Sequence, residues 1–547
     1  MIESIIMKIF INARIISPSD QDNQEINSIS VKDGKIYSLG MTSSINHEDS
    51  EVVDLKGAYV LPGFVDPHAH PLMYGQMMSW INVGPEKAKN ITDIIFILKR
   101  ENDLLDPNLP LRAFGYEHRN LSEGRHPTKK DLDQVSIERQ IYVMNASGHG
   151  GSVNSRVLDF NNISANTADP KGGRFERDED GEPTGVIWDA ACDILTGSQG
   201  VKLGNHGPNF HLPDQQWILT QQFLKAQEEF IKFGVTSIGD AQVSSREFDT
   251  YLDVQQKKLL KARYSMYIIS SEMERANSFR ENKSINSMLL TAGGIKMYAD
   301  GTLGGWTAYF PEGYKNDASR KGQLYHDTEE FSLIFQQCAK KGFDIAIHAQ
   351  SPTAIQMIIT ATRELKKLEG FAKSPIIRVE HCGLPTPDQI KDLAQLGIVA
   401  VSQPIHHHNW GDGVVSALGG DVGSRFNPLG EFVQNQLVFA LSSDAPVGNP
   451  NPFEAIAAAM DRTTIHGTKL GDDDLRIDAQ TALFAHTMGG AIALGKQDEI
   501  GSIEKGKYAD FITVDQNPLS CDSSQMRQIK VQATYTGGEK VFDRNSP

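Results

Sequence analysis

Between residues 59 and 442 the chain repeats one alternation, and it sharply limits the folds open to it. Short apolar runs lie at Tyr59–Val65, Val235–Asp240, Gly294–Ala299, Asp344–His348, Ile376–Glu380, Ile398–Ser402 and Leu437–Ser442. Stretches of helical period separate them, among them Asp214–Phe233, Thr328–Lys341, Ser351–Lys367 and Pro387–Leu396. Apolar runs this short suit strands better than helices. Strands alternating with helices build βα units on a parallel sheet. The helix at Pro387 has its start signal in Thr386-Pro387 and its stop in Gly397. The expected class is α/β, with a (β/α)8 barrel of the TIM type.

The two ends have a different texture. Lys8–Ile16, Ser28–Lys32, Ile36–Leu39 and Val52–Asp54 look like strands punctuated by Gly34 and Gly40. Ala509–Val514, Ile529–Thr536 and Lys540–Phe542 match them, with a turn at Gly537-Gly538. With 547 residues the chain exceeds one small core. Residues 1–60 plus 497–547 are therefore expected to form a small β-sandwich domain built from both termini, and residues 61–496 the barrel. The first barrel strand ends near residue 70 and the next begins at residue 235. That gap is too long for one βα crossover, so an inserted subdomain at about 75–213 is expected over one barrel mouth.

Composition excludes several classes. A net charge of −16 argues against nucleic acid as a partner. No apolar run approaches the ~20 residues that span a bilayer, so no membrane is expected. The first residues, MIESIIMKIFINARIIS, lack a basic start and a small-residue cleavage site, so no secretion signal is expected. Cys192, Cys338, Cys382 and Cys521 are far apart and form no CxxC. They suit a reducing cytoplasm rather than a disulfide framework, and the sequon at Asn145-Ala146-Ser147 is read as chance.

Chemistry gathers at the ends of the apolar runs. The first ends in Pro62-Gly63-Phe64-Val65-Asp66-Pro67-His68-Ala69-His70. On an extended segment His68 and His70 point the same way and can share one metal. Lys296 sits on the third run, and His348, His381 and Asp444 close later ones. In a parallel barrel all strand C-termini meet on one face, where active sites lie. Six residues spread along most of the chain can therefore converge.

PGFVDPHAHP, IKMYADGTLGG, IAIHAQ, VEHC, SSDAPV and the closing GSIEKGKYADFITVD together resemble the amidohydrolase superfamily over essentially the whole chain. The long insertion after HxH and the DGTLGGWTA segment are similar to the branch of YtcJ-like proteins and N-substituted formamide deformylases. The resemblance implies a divalent metal centre, with zinc as the expected ion, one or two per chain. It implies His68 and His70 on the more buried ion, and Lys296 as an N6-carboxylated bridge. His348 and His381 would hold a second ion, and Asp444 would be a ligand and general base. It implies a small-molecule substrate: an N-substituted amide of the N-formyl or N-acyl amine type. Cyclic amides, imides or amidines are the alternative, since the same ligands serve all of these. A non-catalytic binding or assembly protein of this fold is the alternative of another class, and filled ligand positions argue against it. Dimers or tetramers are expected by family habit alone.

Other residues have plainer readings beside the functional one. Asp66 is either a partner that steadies a ligand or a turn aspartate. Cys382 is read as a small buried residue, and His406-His407-His408 as a loop after the seventh run that lines the pocket. Gly501 to Lys507 lacks the Ser/Thr of a phosphate loop. Tyr116, Glu117, His118 and His149 in the insertion, and Trp306 in DGTLGGWTA, are candidate substrate contacts. The small residues around His149 would let backbone approach a ligand.

Overall fold

The computed structural model describes residues 7–16, 26–42, 50–106, 109–195, 214–282, 287–368 and 375–546. Eight parallel strands make its central sheet in sequential order: β1 (Phe64–Ala69), β2 (Val235–Val243), β3 (Arg263–Ile269), β4 (Leu290–Tyr298), β5 (Asp344–Ala349), β6 (Ile377–His381), β7 (Val399–Ser402) and β8 (Phe439–Leu441). The seam between β8 and β1 is joined just past the strand ends. The Asp444 amide donates to the His68 carbonyl at 2.8 Å, and the His70 amide donates to the Ala445 carbonyl at 2.8 Å. Helices cover the outside, each burying one apolar stripe as a helix on a sheet must. The helix Pro387–Leu396 buries Ile390 and Leu393, and is capped by a Thr386–Gln389 box and by Gly397 at φ 69°.

Two expectations about strands need correction. The run Tyr59–Val65 is two strands in two sheets. Tyr59–Pro62 pairs antiparallel with Phe511–Val514, and β1 starts at Phe64. Gly63 sits at the step, where a Cβ would lie 2.2 Å from the Thr236 hydroxyl. β3 was not among the expected strands. Its sequence RYSMYII is buried at every position, including Arg263 and Ser265, so it shows neither alternation nor a clean apolar run. Arg263 is satisfied inside by Asp510 at 2.6 and 2.9 Å.

Strands from the two ends of the chain come together. One sheet is N-terminal only (Lys35–Gly40, Ser28–Lys32, Met7–Ile11, Ser50–Asp54). The other interleaves both ends (Arg14–Ile15, Tyr59–Pro62, Phe511–Val514, Val531–Thr536, Glu539–Asp543). They share an apolar interior where Phe10 packs edge-on against Phe511 and Tyr535.

Between β1 and β2 lies a six-stranded sheet, in spatial order Gly173–Arg177, Pro183–Asp189, Gly150–Val153, Ile141–Asn145, Leu111–Tyr116 and Ile81–Asn82. Side-chain alternation divides it into two interiors. Ile141 and Val143 join Ile94, Leu98 and Leu111 on one face, while Tyr142 and Met144 join Phe175 and Ile187 on the other. Among the described residues no helix is long and apolar enough to cross a membrane.

Candidate metal centre

The C-terminal ends of the barrel strands bring imidazoles and one carboxylate together in the interior. His68 and His70 leave β1 on the same side, as alternation requires. Their Nε2 atoms lie 3.2 and 3.0 Å from Asp444 Oδ1. His381, at the end of β6, and His406 approach the other oxygen. His381 Nδ1 is 4.0 Å and His406 Nε2 3.5 Å from Asp444 Oδ2. Two groupings result, His68–His70–Asp444 and His381–His406–Asp444, each with its donor atoms within 4.8 Å of one another. Every member is buried. The ring of His381 lies 4.9 Å from that of His68 and 4.4 Å from that of His348.

The backbone is bent to make this possible. His381, Cys382 and Asp444 have φ of 70°, 47° and 55°. Side-chain residues pay roughly 1–3 kcal/mol for such conformations, and they concentrate where a site demands them. At the end of β6 the turn breaks strand alternation. Adjacent Glu380 and His381 can therefore both serve the centre. Glu380 accepts from His68 Nδ1, which fixes the ring with Nε2 toward Asp444. Glu380 is held in turn by the fully buried Arg378, whose Nε donates at 2.5 Å. Arg378 also donates to the Pro67 and Ala493 carbonyls and stacks on Tyr267. Burial alone would raise Glu380, but Arg378 and His68 hold it at about 2.

The same balance governs the other groups. Burial raises Asp444, and His68 and His70 more than offset it, so it stays well below the usual carboxylate range. Burial pushes His348 and His381 far below their ordinary values. That direction favours the neutral imidazole, the form that ligates a cation. Lys296, on β4, is 1% exposed and lies over the Tyr298 ring at 4.7 Å. Burial pulls its ammonium down to about 8.

The residues present suit a divalent ion. His70 Nδ1 and His406 Nε2 are buried without a hydrogen-bond partner, and a set of imidazoles with one carboxylate is borderline-soft donor chemistry. Of the six residues expected at the centre, His68, His70, His381 and Asp444 fall in the two groupings. His348 Nε2 donates to the Gly301 carbonyl at 3.0 Å, and neither it nor Lys296 belongs to either grouping.

The structure gives new places to residues read differently, or not at all, from the sequence. His406 is not in a loop but in the helix Pro404–Leu418. His407 and His408 bond instead to the carbonyls of Ala458 and Thr463. Three histidines are poor helix formers, which hid the helix, although Pro404 at its first turn was a signal. Gln403 Oε1 accepts from His381 Nδ1 at 2.8 Å, and Gln403 Nε2 donates to the Ser442 hydroxyl at 2.8 Å. Asp66 resolves as a strand tie. It accepts from the Ser443 amide at 3.1 Å and hydroxyl at 2.5 Å, fixing β1 to the segment that carries Asp444.

The candidate substrate contacts separate. Tyr116 is fully buried in the inserted sheet, with its hydroxyl on His126 at 2.8 Å and Ser152 at 3.2 Å. Glu117 is occupied by His118 and Arg119 at 3.0 and 2.9 Å. Trp306 has the guanidinium groups of Arg119 and Arg320 at 5.8 and 5.4 Å from its ring. Only His149 reaches the barrel centre, 5.8 Å ring to ring from His348. The glycines beside it admit neighbouring strands rather than a ligand. A Cβ on Gly150 would lie 2.4 Å from the Ile187 carbonyl, and one on Gly151 2.3 Å from that of Val143.

Residues 51–542 match the Amidohydrolase family. The N-substituted formamide deformylase of Arthrobacter pascens is 25% identical over 96% of this chain and 96% of its own length. The amidohydrolase YtcJ of Bacillus subtilis (strain 168) is 24% identical over 96% of this chain and 97% of its own. An uncharacterized metal-dependent hydrolase from Pyrococcus horikoshii OT3 shares the fold, with a TM-score of 0.75 at 23% identity, over 95% of this chain and 99% of that one.

Proposed function

This chain belongs to the amidohydrolase family and is a hydrolase of C–N bonds, and from that premise we propose that it hydrolyses an N-substituted amide of the N-formyl or N-acyl amine type. The observation that carries the reading is the meeting of His68, His70, His381 and His406 on the two oxygens of Asp444. The likeness to the formamide deformylase supports the substrate class.

In this reading His68, His70 and Asp444 hold one divalent ion, zinc by its preference for imidazole and carboxylate donors. His381 and His348 would hold a second, and Lys296, if carboxylated, would supply a carbamate oxygen as a further ligand. A lysine Nζ can ligate only after it loses its proton, and burial of Lys296 favours the neutral amine that takes up carbon dioxide. Metal at such a centre polarises a carbonyl and makes water acidic enough to attack near neutral pH. The chain's own groups do the rest. Asp444 Oδ2, faced by His406, takes the proton of the attacking water and returns it to the leaving nitrogen, so amide and water become acid and amine. Glu380 keeps the proton of His68 on Nδ1, and Gln403 orients the His381 ring.

Elemental analysis of the purified protein tests the reading, followed by assay on N-formyl and N-acyl amines. Two zinc ions per chain with turnover of these amides is the expected result. One ion per chain would remove Lys296 from the centre. Protein that is metal-free and refuses added zinc would overturn the proposal.

A further inference from the structure

The inserted sheet carries one side chain to the barrel centre and supports it at unusual cost. His149 and Asp189 face each other across two paired strands. The Asp189 amide donates to the His149 carbonyl at 2.7 Å, and His149 Nδ1 meets Asp189 Oδ1 at 2.9 Å. Asp189 is fully buried and has φ 50°, a conformation that side-chain residues adopt only under constraint. Its second oxygen takes the Gln323 amide at 3.0 Å, from the segment that follows β4. Gly148 has φ 72°, and Gly150 and Gly151 admit no Cβ. Packing, strain and a buried carboxylate thus fix a single imidazole ring, 6% exposed, beside His348.

The chemistry of that ring is set by its partner. An ionised carboxylate can only accept, so Asp189 holds the proton on Nδ1. In the neutral ring Nε2 then carries a lone pair, and among the described residues nothing bonds to it. An amide seated at the centre presents two polar features, a carbonyl oxygen and, when nitrogen bears one substituent, an N–H. The centre itself serves the first. We propose that His149 is a further catalytic residue whose Nε2 accepts the substrate N–H, so that the enzyme takes amides with a hydrogen on nitrogen and rejects N,N-disubstituted ones. This rests on the hydrolase reading above. A tertiary amide leaves a buried acceptor unpaired and puts carbon where the N–H belongs, and both count against it.

The test compares N-butylformamide with N-butyl-N-methylformamide on zinc-loaded wild type, His149→Phe and His149→Gln, with bound metal measured for each. Wild type is expected to favour the N–H amide by about 100-fold in kcat/KM, the scale of one buried hydrogen bond lost plus a clash. His149→Phe should lose that preference with metal content unchanged. His149→Gln, which places an amide oxygen near the position of Nε2, should recover part of it. A His149→Phe protein that keeps the preference, or that loses metal, would overturn the proposal. If wild type hydrolyses neither amide, the N-formyl amide reading fails by itself, and calorimetric titration of the two amides still decides His149. Tighter binding of the N–H amide that vanishes in His149→Phe is expected, and equal binding overturns the inference.

Discussion

The barrel and the inserted sheet each set a histidine against a buried carboxylate, and they do so in opposite ways. In the barrel, His68 on β1 meets Glu380 on β6, 312 residues away, and Arg378 compensates the buried charge. In the insertion, His149 meets Asp189, 40 residues away across adjacent strands, steadied by the neutral amide of Gln323. The barrel pair is built by closing the whole sheet and belongs to the fold. The insertion pair is built locally and can be altered without touching the strands that carry the two His–Asp groupings. A charge-compensated pair suits a permanent ligand, whereas a locally held ring suits a group that touches substrate. On the two proposals above, fixed chemistry and adjustable selectivity come from separate stretches of chain.

Three substitutions probe this division, beginning where the barrel should matter most. Asp444→Asn keeps the shape and removes the proton acceptor. Turnover should fall by about 10³-fold, the scale of general acid–base catalysis, while elemental analysis still finds most of the metal. Near-full activity in this variant would remove Asp444 from proton transfer. Glu380→Gln leaves His68 in place but weakens the hold on its ring. Zinc affinity, measured by chelator competition, should drop about 10- to 100-fold, as for other outer partners of ligating histidines. An unchanged affinity would mean that the barrel pair is structural only. Tyr116→Phe deletes a hydroxyl bonded within the insertion, and should cost about 1 kcal/mol of stability with kcat/KM unchanged. A change in kcat/KM without a shift in melting temperature would return Tyr116 to the substrate contacts.

Much of the barrel could be read from sequence because its evidence is short-range. HxH on an extended segment, polar residues closing apolar runs and the Thr386-Pro387 helix start are each visible within a few residues. β3 was missed because Arg263 and Ser265 are polar in sequence, and the Asp510 carboxylate that satisfies Arg263 in the interior lies 247 residues along the chain. Glu380 was in view beside His381, but strand alternation turns neighbours to opposite faces. Only the left-handed backbone at His381 lets both serve one centre, and no sequence pattern announces it. His406 was hidden by two neighbours that do ordinary structural work. Asp189 carries no motif at all, since its meaning comes from the pairing of Gly150 with Trp188.

The seam between the first and last barrel strands has a consequence for how the protein is made. Asp66 bonds to Ser443 across 377 residues, and Asp444 bonds through its amide to His68. The entropy of closing so long a loop grows only slowly with length, by roughly 0.6 kcal/mol per doubling. The delay is nevertheless built in, because no contact across the seam exists until its far side has been synthesised. A nascent chain halted short of Ser443 carries both histidines of β1 but lacks the carboxylate on which the two groupings converge. A product truncated before Asp444 therefore cannot acquire the finished site.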